Sequence, residues 1–172
     1  MILLKRVLVP TDFSDASKAA VTYGVALGRA FKAQLFLLHV VSRQEFEFAV
    51  ERERVVEELL SSTPPPAPLP MDEVIRHAAH EELGKILSRQ EEQDLHAEYV
   101  MRSEGLGGPS LEIVKYAKEN DIDLIVMGTH GRSFVRHVVT MGSVTERVVR
   151  HAPCPVLTLR HPEHEFVLPE PG

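Results

Sequence analysis

Two short glycine-containing segments near the end of the chain carry the residue types that bind phosphate. Gly128-Thr129-His130-Gly131-Arg132 is a turn whose two glycines let the backbone adopt positive φ and approach a bound group closely. Gly142-Ser143-Val144-Thr145-Glu146 opens a helix, with Ser143 expected to cap it and Glu146, three residues on, to complete a capping box. A glycine turn facing a helix N-terminus offers free N–H groups to the oxygens of an anion, and phosphate suits such a setting. The bland alternative is that the glycines serve the turn alone and Ser143 only the cap, worth about 1 kcal/mol.

Other polar residues offer less. Thr129, His130 and Ser143 have no evident triad partner, and the glycine turn lacks the lysine and hydroxyl spacing of a Walker motif. Asp12 can accept a hydrogen bond from a sugar hydroxyl or a base, and can equally cap the helix that follows it. Val40 can offer backbone groups to a base edge while its side chain packs in the core. His39 reads as a satisfied strand histidine rather than a ligand contact. His77 and His80 lie one helical turn apart without an HExxH pattern or a nearby cysteine, so they read as solvent-facing rather than metal-ligating. Cys154, the only cysteine, stands between two prolines; it excludes an internal disulfide and reads as a small packed residue.

The elements that must position these residues follow from hydrophobic pattern. Arg6 to Val9, Gln34 to Val41, Glu98 to Met101, Leu124 to Met127 and Val156 to Leu159 are apolar runs too short for helices, and they predict five strands. Between the first two, Ala16, Ala20, Tyr23, Leu27 and Ala30 or Phe31 recur at helical spacing from Ser14 onward, giving a right-handed βαβ unit. Asp72 to about Gln93 predicts one continuous helix covering a sheet face. Pro109 suits the first position of another helix, with Leu111, Val114 and Ala117 on its inward side. The helix opened by Gly142 should stop near His151. Strands alternating with helices imply an α/β domain with a mostly parallel sheet, whose ligand crevice lies beyond the strand C-termini where strand order reverses. Pro10, Thr11, Asp12, Val40 and Gly128 all fall at such ends.

Composition bounds the rest. The 172 residues, 44% of them hydrophobic, suffice for one domain with a buried core. A net charge of −6 disfavours nucleic acid or an anionic membrane as partner. Neither a bilayer-length apolar stretch nor a signal peptide is evident, so the expected location is cytoplasmic. A helical and proline-rich insert is expected at about 42–70, with Thr63 to Pro70 a stiff connector. The tail at 161–172 is expected to be loosely held.

VLVPTDFSDAS at the start, LFLLHVV in the second strand, and DLIVMGTHGR followed by GSVTERVVRHAPCPVLTLR resemble the universal stress protein family, from Lys5 to Arg160 apart from the insert. The resemblance implies a flavodoxin-like (adenine nucleotide alpha hydrolase-like) five-stranded parallel sheet with helices on both faces. It also implies a homodimer through the last strand, Val156 to Leu159, and a role in stress adaptation. One branch of the family binds ATP through the pattern G-x2-G-x9-G-[ST]. Gly128, Gly131 and Gly142-Ser143 match it, except that ten residues rather than nine separate Gly131 from Gly142. One extra residue can displace the chain by up to about 3.8 Å, so the match requires it to be absorbed as a bulge among Arg132 to Met141. Carried over position by position, the resemblance implies that Pro10, Thr11, Asp12 and Val40 hold adenine and ribose. Met127 and Gly128 would lie along the nucleotide, and Gly131, Arg132, Gly142, Ser143, Val144 and Thr145 would meet the phosphates of ATP, with or without Mg2+. Three functions follow: an ATP-binding stress or signalling dimer, an interaction module that binds no ATP, and, weakest because no general base stands beside the phosphates, an ATP hydrolase.

Overall fold

The computed structural model describes residues 3–42, 81–129 and 143–159. Five strands, β1 (Arg6–Pro10), β2 (Gln34–Val41), β3 (Glu98–Ser103), β4 (Leu124–Gly128) and β5 (Val156–Leu159), form one parallel sheet in the order β3-β2-β1-β4-β5. The helices are α1 (Asp15–Phe31), α2 (Arg89–Asp94), α3 (Gly108–Glu119) and α4 (Ser143–His151), with residues 81–84 also helical. The architecture is the expected flavodoxin-like, doubly wound one. The apolar runs of β1, β2 and β4 are too short for helices and are buried on both faces, while the edge strands β3 and β5 are only half-buried.

The alternation of side chains along each strand divides the core in two. Val7, Val9, Leu35, Leu37 and Val126 point to the face covered by α1 and by Leu83, Leu87 and Leu95. Leu8, Phe36, Leu38, Ile125 and Met127 point to the other, where Ile113, Tyr116 and Ala117 of α3 and Val148 of α4 cover them. α1 lies very close to the sheet: a Cβ on its Gly24 would stand 2.5 Å from Val9 Cγ2. The small residues of α1 are what permit this approach.

Strand order reverses between β1 and β4, and there the ladder is short. β1 is in register with β2 over five residue pairs but with β4 over two, Val7 with Leu124 and Leu8 with Ile125. A physical reason is Pro10. The Thr11 amide donates to Leu38 O on the β2 side, so alternation along the strand aims the amide of residue 10 at β4, and proline has none. Backbone pairing between β1 and β4 therefore stops at Leu8, two residues before the strand ends.

Two expectations are corrected. The helix expected to run unbroken to about Gln93 is interrupted, because Ser88 caps α2: its hydroxyl accepts from the Glu91 amide while Glu91 reaches back to the Ser88 amide. That capping box starts a new helix where periodicity alone suggested continuation. On α3 the inward residues are Ser110, Glu112, Ile113, Tyr116 and Ala117, whereas Leu111 is 41% exposed. The helix is turned so that Ile113 and Tyr116 fill the core. The expected insert at 42–70, the first part of the helix begun at Asp72 with His77 and His80, and the tail at 161–172 lie outside the described residues.

Candidate functional site

The carboxyl ends of β1 and β4 flank the switch point, and two helix N-termini are directed there. After β1, Thr11 is buried and its hydroxyl donates to Ser17 Oγ at 3.1 Å while accepting from the Phe13 amide at 3.1 Å. Ser17 Oγ in turn donates to the Ser14 carbonyl at 2.8 Å. Ser14 is the N-cap of α1, its hydroxyl accepting from the Ser17 amide. Asp12 does not cap the helix itself. Its Oδ1 accepts from both the amide and the hydroxyl of Ser14, at 3.1 and 2.6 Å, and so holds the capping residue in place. The turn is a closed chain of short polar side chains in which the Asp12 carboxylate is half-buried.

On the other side, Gly128 ends β4 against the first turn of α1. A Cβ there would stand 2.9 Å from Ala16 Cβ and 3.0 Å from the Ala16 carbonyl carbon and oxygen. The glycine is demanded by helix packing, whatever else it does. Its carbonyl accepts a hydrogen bond from Thr145 Oγ1 at 2.8 Å, which ties the first turn of α4 to the end of β4. Thr145 is 4% exposed, so that bond forms away from water. The next residue, Thr129, is buried and its amide donates to Leu159 O at 2.8 Å, continuing the β4–β5 pairing. Gly128 is thus the point at which α1, α4 and β4 meet.

Pro10, Thr11, Asp12, Gly128, Val144 and Thr145 are accordingly gathered around one end of the sheet by the elements that carry them. Val40 and Met127 point their side chains into the core on the α3 face, which leaves backbone groups as what they can offer a ligand. Ser143 is the first residue of α4 rather than the residue before it. Gly131, Arg132 and Gly142, with His130, lie outside the described residues. Glu146 pairs with Arg150 at 2.8 Å along the exposed side of α4. His39 is buried, as a satisfied strand histidine should be, with Nδ1 against the Thr11 carbonyl at 2.8 Å. Cys154 is half-buried beside the α3-side core, and burial, reinforced by the Asp123 carboxylate, pushes its thiol pKa up. That argues for a packing role over a reactive one.

Sequence reasoning overlooked Phe13 and Ser17, and named Ala16 only as one of the small residues on the inward face of the first helix. Phe13 adopts φ 63° and packs its ring on His39, and no residue-type signal announces a left-handed phenylalanine. Ala16 and Ser17 could have been found only by asking what a helix starting at Ser14 turns toward β4.

These features define a doubly wound α/β protein with a candidate site at the carboxyl edge of the sheet. The chain belongs to the universal stress protein family, whose model matches residues 4–160. A universal stress protein of Methanocaldococcus jannaschii is 33% identical over 163 residues, which are 95% of this chain and 86% of that protein. The solved universal stress protein UspA from Lactobacillus plantarum is 31% identical with a TM-score of 0.63, covering 93% of this chain and 100% of that one. The universal stress protein from Archaeoglobus fulgidus, solved in complex with dAMP, is similar in fold at 21% identity and a TM-score of 0.56, covering 92% and 98%. Among the described residues no helix is long and apolar enough to cross a membrane.

Proposed function

We propose that this protein binds ATP in the crevice between β1 and β4 and acts, as a cytoplasmic homodimer, in stress response or signalling. The observation that carries the reading is the convergence at Gly128 of two strand ends and two helix N-termini, around a ladder that Pro10 leaves short. Adenine and ribose would be held by Pro10, Thr11, Asp12 and Val40, with Met127 and Gly128 alongside. Gly131, Arg132, Gly142, Ser143, Val144 and Thr145 would hold the phosphates. The described residues fit such a ligand: the Thr145 bond brings the N-terminal turn of α4 to the end of β4, where the helix dipole favours an anion. Because the Thr145 hydroxyl proton is directed to the Gly128 carbonyl, its share in phosphate binding would come from its backbone amide or from the lone pairs turned toward magnesium. Magnesium enters this reading with the phosphates that carry it. A protein of this fold is in complex with dAMP, which makes adenine nucleotides the ligands to test.

Dimerisation is proposed through β5, which pairs only with β4 among the described strands and keeps all four side chains half-buried. An open edge of this kind invites pairing with a second copy about a twofold axis. Light scattering at micromolar concentration should give twice the monomer mass, and a monomer would remove the proposal.

Calorimetric titration of ATP with magnesium into ligand-free protein tests the binding itself. Gly131→Val and Gly142→Val are expected to weaken binding at least about tenfold, or roughly 1.4 kcal/mol, while leaving a folded dimer. Deleting one residue between Phe134 and Thr140 restores the nine-residue spacing and should leave binding intact or strengthen it. The second reading, an interaction module that binds no nucleotide, is favoured by the packing of Gly128 on Ala16, which accounts for that glycine without a ligand. No detectable heat at millimolar nucleotide would decide for it.

A further inference from the structure

Beneath the turn that carries Asp12 lies a buried histidine that the nucleotide reading leaves unused. His39 is 4% exposed near the carboxyl end of β2, and alternation with Leu35 and Leu37 places it on the α1 face. Its Nδ1 is 2.8 Å from the Thr11 carbonyl oxygen. A carbonyl oxygen has only lone pairs to offer, so Nδ1 carries the hydrogen and donates it. The imidazole also packs against the Phe13 ring, with centroids 4.6 Å apart and planes tilted by 45°. Phe13 has φ 63°, a left-handed conformation that a bulky residue rarely adopts. Asp12 thus stands between Thr11 and Phe13, both in contact with His39.

We propose that His39 is a positioning residue for the nucleotide site, fixing the turn from Thr11 to Phe13 in the conformation that presents Asp12 to the crevice, without touching the ligand. The inference rests on the nucleotide reading above. A strained backbone conformation persists only where its surroundings over-determine it. Here the surroundings are the hydrogen bond from His39 to the Thr11 carbonyl, the ring contact with Phe13, and the bond from the Phe13 amide to Thr11 Oγ1. His39 supplies two of these, beside the packing of Phe13 on the α1-side core. Without them the turn is held less firmly, and the Asp12 carboxylate with it.

His39→Leu removes both contacts while keeping an apolar side chain in the core, and His39→Asn restores an N–H donor near the place of Nδ1. Nitrogen NMR of the wild type should show the His39 ring carrying a proton at Nδ1. In His39→Leu the Phe13 and Ser14 amides are expected to exchange at least about tenfold faster, while amides of the β2–β3 ladder keep their wild-type rates. MgATP affinity measured by calorimetry should fall at least about tenfold in the same variant, and His39→Asn should return it to within about threefold of wild type. Unchanged turn amides in His39→Leu, or a failure of His39→Asn to restore binding, overturn the positioning role. A wild type that takes up no ATP overturns the nucleotide reading and the ligand half of this inference with it. Normal ATP binding by His39→Leu overturns the positioning role alone.

Discussion

Replacing Gly128 by alanine should cost stability through a contact that has nothing to do with a ligand. The added Cβ would meet three atoms of Ala16 at 2.9 to 3.0 Å, whereas carbon atoms rest at about 3.5 to 4.0 Å. Two of the three are backbone atoms with no rotamer to turn, so α1 must lift from the sheet. It is held down further along by Gly24 against Val9, and the lift would strain the Thr145 bond to the Gly128 carbonyl through the shift of β4. Overpacking of this kind costs about 1 to 3 kcal/mol. A value near 2 kcal/mol is expected, roughly a thirtyfold change in the ratio of folded to unfolded protein. Urea unfolding followed by circular dichroism should show a lower midpoint with an unchanged slope. Adding Ala16→Gly removes the nearest of the three atoms, so the double variant should show a coupling energy of at least about 0.5 kcal/mol in the restoring direction. If Gly128→Ala alone lies within about 0.5 kcal/mol of wild type, as a surface substitution would, the close approach of α1 is not what demands glycine there.

Three further outcomes follow from particular residues. Lys32 ends α1 in the left-handed region at φ 54° and ψ 41°, so Lys32→Gly should raise stability by about 0.5 to 1 kcal/mol in the same urea assay. Burial, reinforced by the Glu98 carboxylate and partly opposed by Arg102 and Arg6, pushes the Tyr116 phenol up to about 12. The folded state then keeps a proton that the unfolded chain releases near pH 10. Its contribution is fully present below about pH 10 and is lost as pH rises through about 12. Tyr116→Phe should flatten that alkaline loss in unfolding midpoints measured across the window. The raised Cys154 thiol should react with a disulfide reagent at pH 8 at least about tenfold more slowly in folded than in urea-unfolded protein, and equal rates would contradict its burial.

All five strands were legible because each is an apolar run bounded by a turn signal and too short to be a helix. The candidate site was legible as a set of residue types at strand ends: Thr11, Asp12, Gly128 and Thr145 are brought together at one end of the sheet. What escaped depended on neighbours distant in sequence. Leu111 is as apolar as Ile113, and only the packing of Tyr116 beside Phe36, with centroids 6.2 Å apart, decides which of them turns inward. Gly128 was recognised as significant for a turn, while the pressure of Ala16 on it became visible only once α1 was placed. Phe13 is the sharpest case, because its backbone conformation contradicts its own preference and is imposed by Thr11 and His39. The break at Ser88 was recoverable: a serine three residues before Glu91 is a capping signal that outranks apolar periodicity.

The short ladder between β1 and β4 has a consequence for how the molecule responds to its surroundings. The sheet is two ribbons, β3-β2-β1 and β4-β5, and few backbone hydrogen bonds join them. α1 spans the join, with Gly24 on Val9 of one ribbon and Ala16 on Gly128 of the other, so close packing does much of the joining. Apolar packing weakens on cooling, and pressure acts against the voids that packed interfaces contain. Cold and hydrostatic pressure should therefore loosen this joint before either ribbon, and a nucleotide laid across it would resist both.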